Sequence, residues 1–377
     1  MTVTRTLPGS VREGMLHVAF ELGATSWKLG MTSGFGVEPW VKAVPAGDWA
    51  AVRRLLARAK VQFGLRPDVP VVSCYEAGRD GFWIHRALLR EGIGNRVVDS
   101  ASIEVNRRAR RAKTDRLDAR KLVAMLVRVL LGERGVWREV HVPLAADEAA
   151  RHASRERTQL VQERTRLVNQ LRSWLATWGT KLPARRRRPQ WWTTVTDWAG
   201  APLPREVQGR LARAEERLAV IDTQLAVLAD AEQAAAKIAS ADSALGRLVR
   251  LKGVAVTGAQ VLLKEGLVWR AFRNRREIGG MLGFAPLPYQ SGEQARDQGI
   301  DRAGNRRWRA ISLQLAWNWV RWQPTSALTQ WYQRRFGGGG ARLRRIGIVA
   351  LARKLVIALW RIATTGEIPA GAALKVA

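Results

Sequence analysis

Two runs of apolar residues recurring at near-heptad spacing constrain this chain more than any other feature. Leu160, Leu167, Leu171, Trp174 and Trp178 form one series, and Leu211, Ala214, Leu218, Ile221, Leu225 and Leu228 form a second, cleaner one. Such spacing puts an apolar seam along each of two long helices, which implies either an antiparallel pair within one chain or a dimeric coiled coil. The segment between them, KLPARRRRPQWWTTVTDWAGAPLP, is too rich in Pro to continue either helix. Its Arg185, Arg186, Arg187 and Arg188 beside Trp191 and Trp192 suit phosphate contacts and base stacking. A solvated basic loop with its aromatics folded onto the helices fits the same residues equally well.

The patterns on either side of this helical region differ. LHVAFELGATSWKLGM, from Leu16 to Met31, has two roughly alternating apolar runs broken at Gly23 and Ala24, the signature of a β-hairpin. VPVVSCYEAG and NRVVDSAS read as further strands, with DWAAVRRLLARAKVQFG and FWIHRALLREG as helices among them. This alternation predicts an α/β domain over residues 16–142 after a tail at 1–15. Residues 143–242 are the coiled-coil helices with their Arg/Trp loop. Residues 243–366 form a mainly helical C-terminal domain, followed by a tail at 367–377. In LVRLKGVAVTGAQVLLKEG, Gly253 and Gly258 lie between two apolar helical stretches, as in a helix-hairpin-helix that offers backbone N–H groups to a phosphate. The final helix, IGIVALARKLVIALWRIA, carries Arg353, Lys354 and Arg361 within its apolar pattern and reads as a packed amphipathic helix.

Charge narrows the function. The chain has 63 Lys+Arg against 32 Asp+Glu, a formal net charge of +31, which gathers phosphate backbones by counterion release. Nucleic acid is therefore the expected partner. No apolar run is long enough to span a bilayer, and MTVTRTLPGSVREG lacks the apolar core of a signal peptide, so a membrane is not expected. The single cysteine, Cys74, excludes an intrachain disulfide framework and points to a reducing cytoplasm.

Within RRARRAKTDRLDARK, Asp115 and Asp118 are the only acids among Arg107, Arg108, Arg110, Arg111 and Lys113. On a helix this spacing puts both on one face. Local ion pairing on a solvated face accounts for them, as does a cation held beside a polyanion. Glu21 and Glu76 stand at expected strand ends, and with the Asp pair they make four carboxylates able to hold one or two Mg²⁺ ions. Taken singly, Glu76 also reads as a capping acid before Gly78 and Glu21 as an exposed hairpin residue.

CYEAGRDGFWIHRAL around Glu76 and VVDSASIEVNRRARRAKTDRLDARKL with its Asp pair resemble the DEDD transposases of bacterial insertion sequences, family one-hundred-ten, also known as bridge-RNA-guided recombinases. The resemblance implies a RuvC-like domain of the ribonuclease H fold whose four carboxylates hold metal. The family usually has Asp at the first of those positions, where this chain has Glu21, one methylene longer. FRNRREIGGMLGFAP, then Ser291-Gly292, then GIDRAGNRRWR resemble the family's transposase domain, which implies Ser291 as nucleophile, with Gly299, Gly304, Asn305 and Arg307 matching downstream. Arg296, Arg302, Arg306 and Arg307 are the available phosphate clamps, whereas the local sequence alone reads Ser291-Gly292 as an ordinary turn.

The resemblance thus implies a nucleoid-associated bacterial recombinase acting on donor and target DNA, with a noncoding guide RNA and a homodimer or homotetramer. It further implies that Ser291 works together with the carboxylates although about 170 residues separate it from Asp118. A metal nuclease of the Holliday-junction-resolvase type, and an inactive nucleic-acid-binding scaffold, are the competing readings.

Overall fold

The structure, a computed structural model, describes residues 14–103, 115–183, 189–268, 270, 272–291 and 294–375. It comprises two compact units, Met1–Val142 and Pro143–Ala377.

The first unit is built on a five-stranded sheet. Its elements run β1 (Leu16–Leu22), β2 (Ser26–Thr32), β3 (Trp40–Pro45), α1 (Trp49–Gln62), β4 (Val71–Glu76), α2 (Trp83–Arg90), β5 (Gly94–Val98) and α3 (Asp115–Leu130). The strand order is β3-β2-β1-β4-β5. The expected hairpin is present, with β1 antiparallel to β2. β4 runs parallel to β1, and β5 parallel to β4. Parallel neighbours need crossovers, which α1 and α2 supply. Asp48 starts α1 by accepting a hydrogen bond from the Ala51 N–H at 2.8 Å. β3 was not anticipated, because WVKAVP is a short edge strand with Lys42 outward and Pro45 at its end, a weak pattern.

Alternation along the strands sorts the core into two layers. Leu16, Val18 and Phe20 of β1, with Trp27 and Leu29 of β2 and Tyr75 of β4, pack with Val52, Leu55, Ile84 and Leu88 of α1 and α2. Ala19 and Cys74 turn the other way, onto Leu122, Val123 and Leu126 of α3. Burial, reinforced by the charge of Glu76, pushes the Cys74 thiol far up, so this cysteine is a packing residue.

The second unit opens with α4 (Ala145–Ala176) and α5 (Arg205–Ile238). Leu171 and Leu175, late in α4, share a core with Leu211, Ala214 and Leu218, early in α5, so the two heptad seams face each other as an antiparallel pair within one chain. Arg164–Asp222 and Arg157–Glu232 ion pairs continue that register. Trp191, 3 % exposed, closes the connection as part of the same core, so its ring is folded onto the helices. Then follow α6 (Ala244–Val249), α7 (Val256–Leu262), a π turn (Leu263–Leu267), α8 (Arg275–Leu282), β6 (Pro286–Ser291), β7 (Gln294–Ile300), α9 (Arg306–Trp322), α10 (Ala327–Tyr332), a second π turn (Gln333–Gly337) and α11 (Ala341–Thr365). Trp308 and Trp319 of α9 pack with Leu351, Leu355 and Leu359 of α11 at the centre. Among the described residues no helix is long and apolar enough to cross a membrane.

Candidate active site

In the first unit, the pleat that sends Ala19 and Cys74 toward α3 sends Glu21 and Glu76 the same way, two residues further on. The register of β1 with β4 runs to Phe20 opposite Tyr75, so Glu21 and Glu76 follow the last paired residues on adjacent strands about 4.8 Å apart. Lys28 of β2 is directly opposite Glu21. Its ammonium donates to the Asp115 carboxylate in the first turn of α3, so strand ends and helix start meet on one face. Asp118, half-buried, lies one turn further along α3, and the positive end of the helix dipole favours both acids.

α3 is seated on the sheet at Gly30. A Cβ there would come within 2.5 Å of the Ala119 carbonyl oxygen, so only glycine permits this approach. The backbone contact determines how far Asp115 and Asp118 stand from the strand ends. All four donors are carboxylates, the oxygen chemistry suited to a hard cation such as Mg²⁺. Among the described residues no three Asp, Glu, His or Cys side chains are gathered closely enough to hold one ion, and Lys28 places an ammonium against Asp115. Arg107, Arg108, Arg110, Arg111 and Lys113 lie outside the described residues, as do Arg185, Arg186, Arg187 and Arg188.

In the second unit Ser291 is the last residue of β6, opposite Gln294 of β7, at the tip of a two-stranded hairpin. The mainly helical expectation missed this hairpin, since PLPYQSGEQARDQGI is crowded with turn residues and Pro. Gly292, Glu293 and the side chains of Ser291 and Arg296 lie outside the description. The base of the hairpin is well anchored. The Asp301, Arg302 and Asn305 N–H groups donate to the Ala285, Gly283 and Met281 carbonyls at 2.9, 3.1 and 2.8 Å. Gly304, at φ 107°, passes so near the Met281 carbonyl that a Cβ would sit 2.4 Å from its oxygen.

In this unit sequence reasoning missed Glu265 and Arg155. Glu265 sits in the first π turn, fully buried, and accepts a bidentate pair of hydrogen bonds from Arg155 of α4, both 3.1 Å. Arg307 pairs with it at 3.1 Å and Asn305 Nδ2 donates to it at 3.2 Å. Asn305 also caps α9, accepting from the Arg307 and Trp308 N–H groups. Desolvation pushes the Glu265 carboxyl up, yet Arg155, Asn305 and Arg307 together outweigh it and hold the group below the usual carboxylate range. Arg307, expected as a phosphate clamp, is engaged by Glu265 and by the Ser154 carbonyl at 2.6 Å. Arg302 and Arg306 are exposed. Gly258 is buried in α7 against Leu315, and Gly253, at φ 79°, packs on Asn318 and Trp322 of α9, so contact with α9 accounts for both glycines. The one signal for Glu265 was an acid inside the apolar run QVLLKEGLVW.

Comparison with known proteins bears on both units. A family model described as Transposase (DEDD_Tnp_IS110) matches residues 46–178, and one described as Transposase IS116/IS110/IS902 family matches residues 246–331. A Sinorhizobium fredii protein named as a transposase, y4rJ, is 39% identical over 377 residues, covering 96% of this chain and 95% of its own. A Pseudomonas aeruginosa protein named as a family 20 transposase is 28% identical over 326 residues, covering 85% and 92%. The chain belongs to the IS110 family of transposases, enzymes that recombine DNA.

Proposed function

We propose that this transposase cuts and rejoins donor and target DNA strands with two groups of residues, the carboxylates Glu21, Glu76, Asp115 and Asp118 and the nucleophile Ser291. The observation that carries the first is the convergence of two adjacent strand ends and the start of α3 on one face of the sheet. Sheet order and carboxylate placement support a RuvC-like ribonuclease H fold for the first unit. When bound, one or two Mg²⁺ ions would polarise the phosphate and stabilise the leaving oxygen. The four carboxylates would hold them, Glu21 with one methylene more reach than the family's usual Asp. For Asp115 to join them, Lys28 would have to give up its pair with that carboxylate. At the hairpin tip, the Ser291 hydroxyl attacks phosphorus, forms a phosphoserine bond to one DNA end and releases the other as a hydroxyl. Exposed Arg302 and Arg306 near the hairpin base carry charge complementary to the phosphate.

The resemblance to recombinases guided by an element-encoded RNA extends the proposal to a noncoding RNA partner and to a homo-oligomer. The test is a denaturing gel of full-length protein with labelled junction DNA. A covalent protein–DNA adduct is expected, absent in Ser291→Ala and in Asp118→Asn. Cleavage without an adduct would instead support a metal nuclease in which Ser291 is only a turn residue.

A further inference from the structure

One motif is unused by this chemistry. RRFGGGGARLRR, Arg334 to Arg345, places two groups of arginines about a run of four glycines. It lies inside the most one-sided stretch of the chain: from residue 302 to residue 366 there are thirteen Arg or Lys and no Asp or Glu. Chain-wide bases outnumber acids only two to one, so this segment departs from the composition of the rest.

The fold makes a surface of it. Arg334 and Arg335 extend from the second π turn, and Arg342, Arg344 and Arg345 from the first turn of α11; all five are exposed. Phe336 brings the two groups together: its ring lies so close to α11 that a Cβ on Gly347 would meet Cγ at 2.5 Å. Trp331 and Tyr332 pack on Phe336 with centroids 5.6 and 6.1 Å away, and the Tyr332 hydroxyl donates to the Arg344 carbonyl at 3.4 Å. The glycines thus make the short connection between the second π turn and α11. No described acid forms an ion pair with any of the five arginines.

Five exposed guanidinium groups without acids repel one another, and their positions are held by an aromatic core. α5 is built differently: Arg205, Arg213 and Arg217 are exposed among Glu206, Glu215 and Glu216. Charge on α5 is balanced, whereas charge around the glycine turn calls for an external anion. We infer that the face formed by Arg334, Arg335, Arg342, Arg344 and Arg345 docks the phosphate backbone of duplex DNA. DNA is the occupant because the family recombines DNA, and a row of phosphates matches an acid-free row of arginines in charge and in indifference to sequence. This inference rests on the chain acting on DNA and is independent of the metal and serine assignments.

The experiment measures equilibrium binding of full-length protein to a fluorescent duplex of arbitrary sequence across a series of KCl concentrations, without divalent metal. Arg342→Gln/Arg344→Gln/Arg345→Gln should flatten the dependence of log K on log salt by about 0.9 for each lost contact, roughly 2 to 3 in all. Arg334→Gln/Arg335→Gln should flatten it by roughly 1 to 2, on the same reckoning. Triple Lys substitution at 342, 344 and 345 should leave the slope near that of the parent. So should Arg205→Gln/Arg213→Gln/Arg217→Gln on α5. Circular dichroism confirms that each variant keeps its helices. An unchanged DNA slope in both Gln variants overturns the proposal, including the case in which only a structured RNA loses affinity. An equal loss from the α5 variant overturns it as well. Because no cleavage is read, loss of the proposed chemistry would not change the outcome.

Discussion

Both units place carboxylates among cations, with opposite consequences. On the sheet face, Asp115 is 62% exposed in its side chain and pairs with Lys28. In the helical unit, Glu265 is 0% exposed and is enclosed by Arg155, Arg307 and Asn305. Water screens the first pair, so its cation is exchangeable and its contribution to stability small. Removing the partner of a buried charge leaves an uncompensated ion, so the second set is fixed in place. Burial, rather than residue type, separates acids that can take part in chemistry from an acid that organises a fold. Glu265 ties α4, the α9 cap and the base of the Ser291 hairpin into one framework.

The largest expected effect of breaking this contrast is at Glu265. Glu265→Ala should destabilise the second unit by about 3–5 kcal/mol, because two arginines lose their buried counter-ion. Hydrogen exchange by mass spectrometry should show faster exchange in α4 and α9, with the sheet of the first unit unchanged. Equal protection in parent and variant would mean that Glu265 is no more structural than Asp115.

Next comes Gly30→Ala. The added methyl would sit 2.5 Å from the Ala119 carbonyl, an overpacking worth roughly 1–3 kcal/mol. Displacement of α3 should carry Asp115 and Asp118 away from the strand ends, so cleavage should fall well beyond what the loss of folded protein explains. Parent-level cleavage by the folded variant would show that this spacing is not critical.

Acid should separate the units in a defined order. Burial lowers the His17 pKa, partly offset by its bond to the Thr32 carbonyl, and burial with the Arg86 charge lowers that of His85. Both take up a proton less readily in the folded first unit than in the unfolded chain. As pH falls below about 6.5, the unfolded chain takes up protons that the folded unit does not, and stability is lost until the folded pKa values are reached. Glu265 behaves differently, because its folded pKa is lowered from 4.5. Its contribution is complete above that unfolded value and is lost as pH falls through the folded one. Exchange protection should therefore weaken first in the sheet and later in α4 and α9; the reverse order would contradict the assignments.

The smallest effect belongs to Lys28→Met. An exposed pair contributes at most about 1 kcal/mol, so removing the Lys28 ammonium from Asp115 should tighten Mn²⁺ binding by no more than about fivefold. Calorimetry on the full chain without DNA would measure it. Weaker binding in the variant would make Lys28 a support of the acids rather than a competitor for the cation.

What could be read from the chain follows the same physical division. Alternation in LHVAFEL and VVSCYE located the strands and put Glu21 and Glu76 at their ends, because period-two patterns are local. The heptad series located α4 and α5 but left the partner open; packing of Leu171 and Leu175 against Leu211 and Leu218 decides it. Lys28 was passed over inside a strand, since its meeting with Asp115 spans 87 positions. Glu265 was hidden for the same reason, with Arg155 110 positions away. The hairpin carrying Ser291 was missed because Pro and turn residues mask its pattern, and its anchorage comes from α8 and α9.

If the carboxylates at the sheet end perform the chemistry while binding resides in the many basic residues, the two activities should come apart in a single variant. Asp118→Asn tests this most directly, with single-turnover cleavage of junction DNA and equilibrium DNA binding measured on the same preparation in Mg²⁺. Cleavage should fall on the order of 10²-fold or more, with binding and its salt dependence close to those of the parent. Cleavage within a few-fold of the parent, at unchanged binding, would contradict this division of roles.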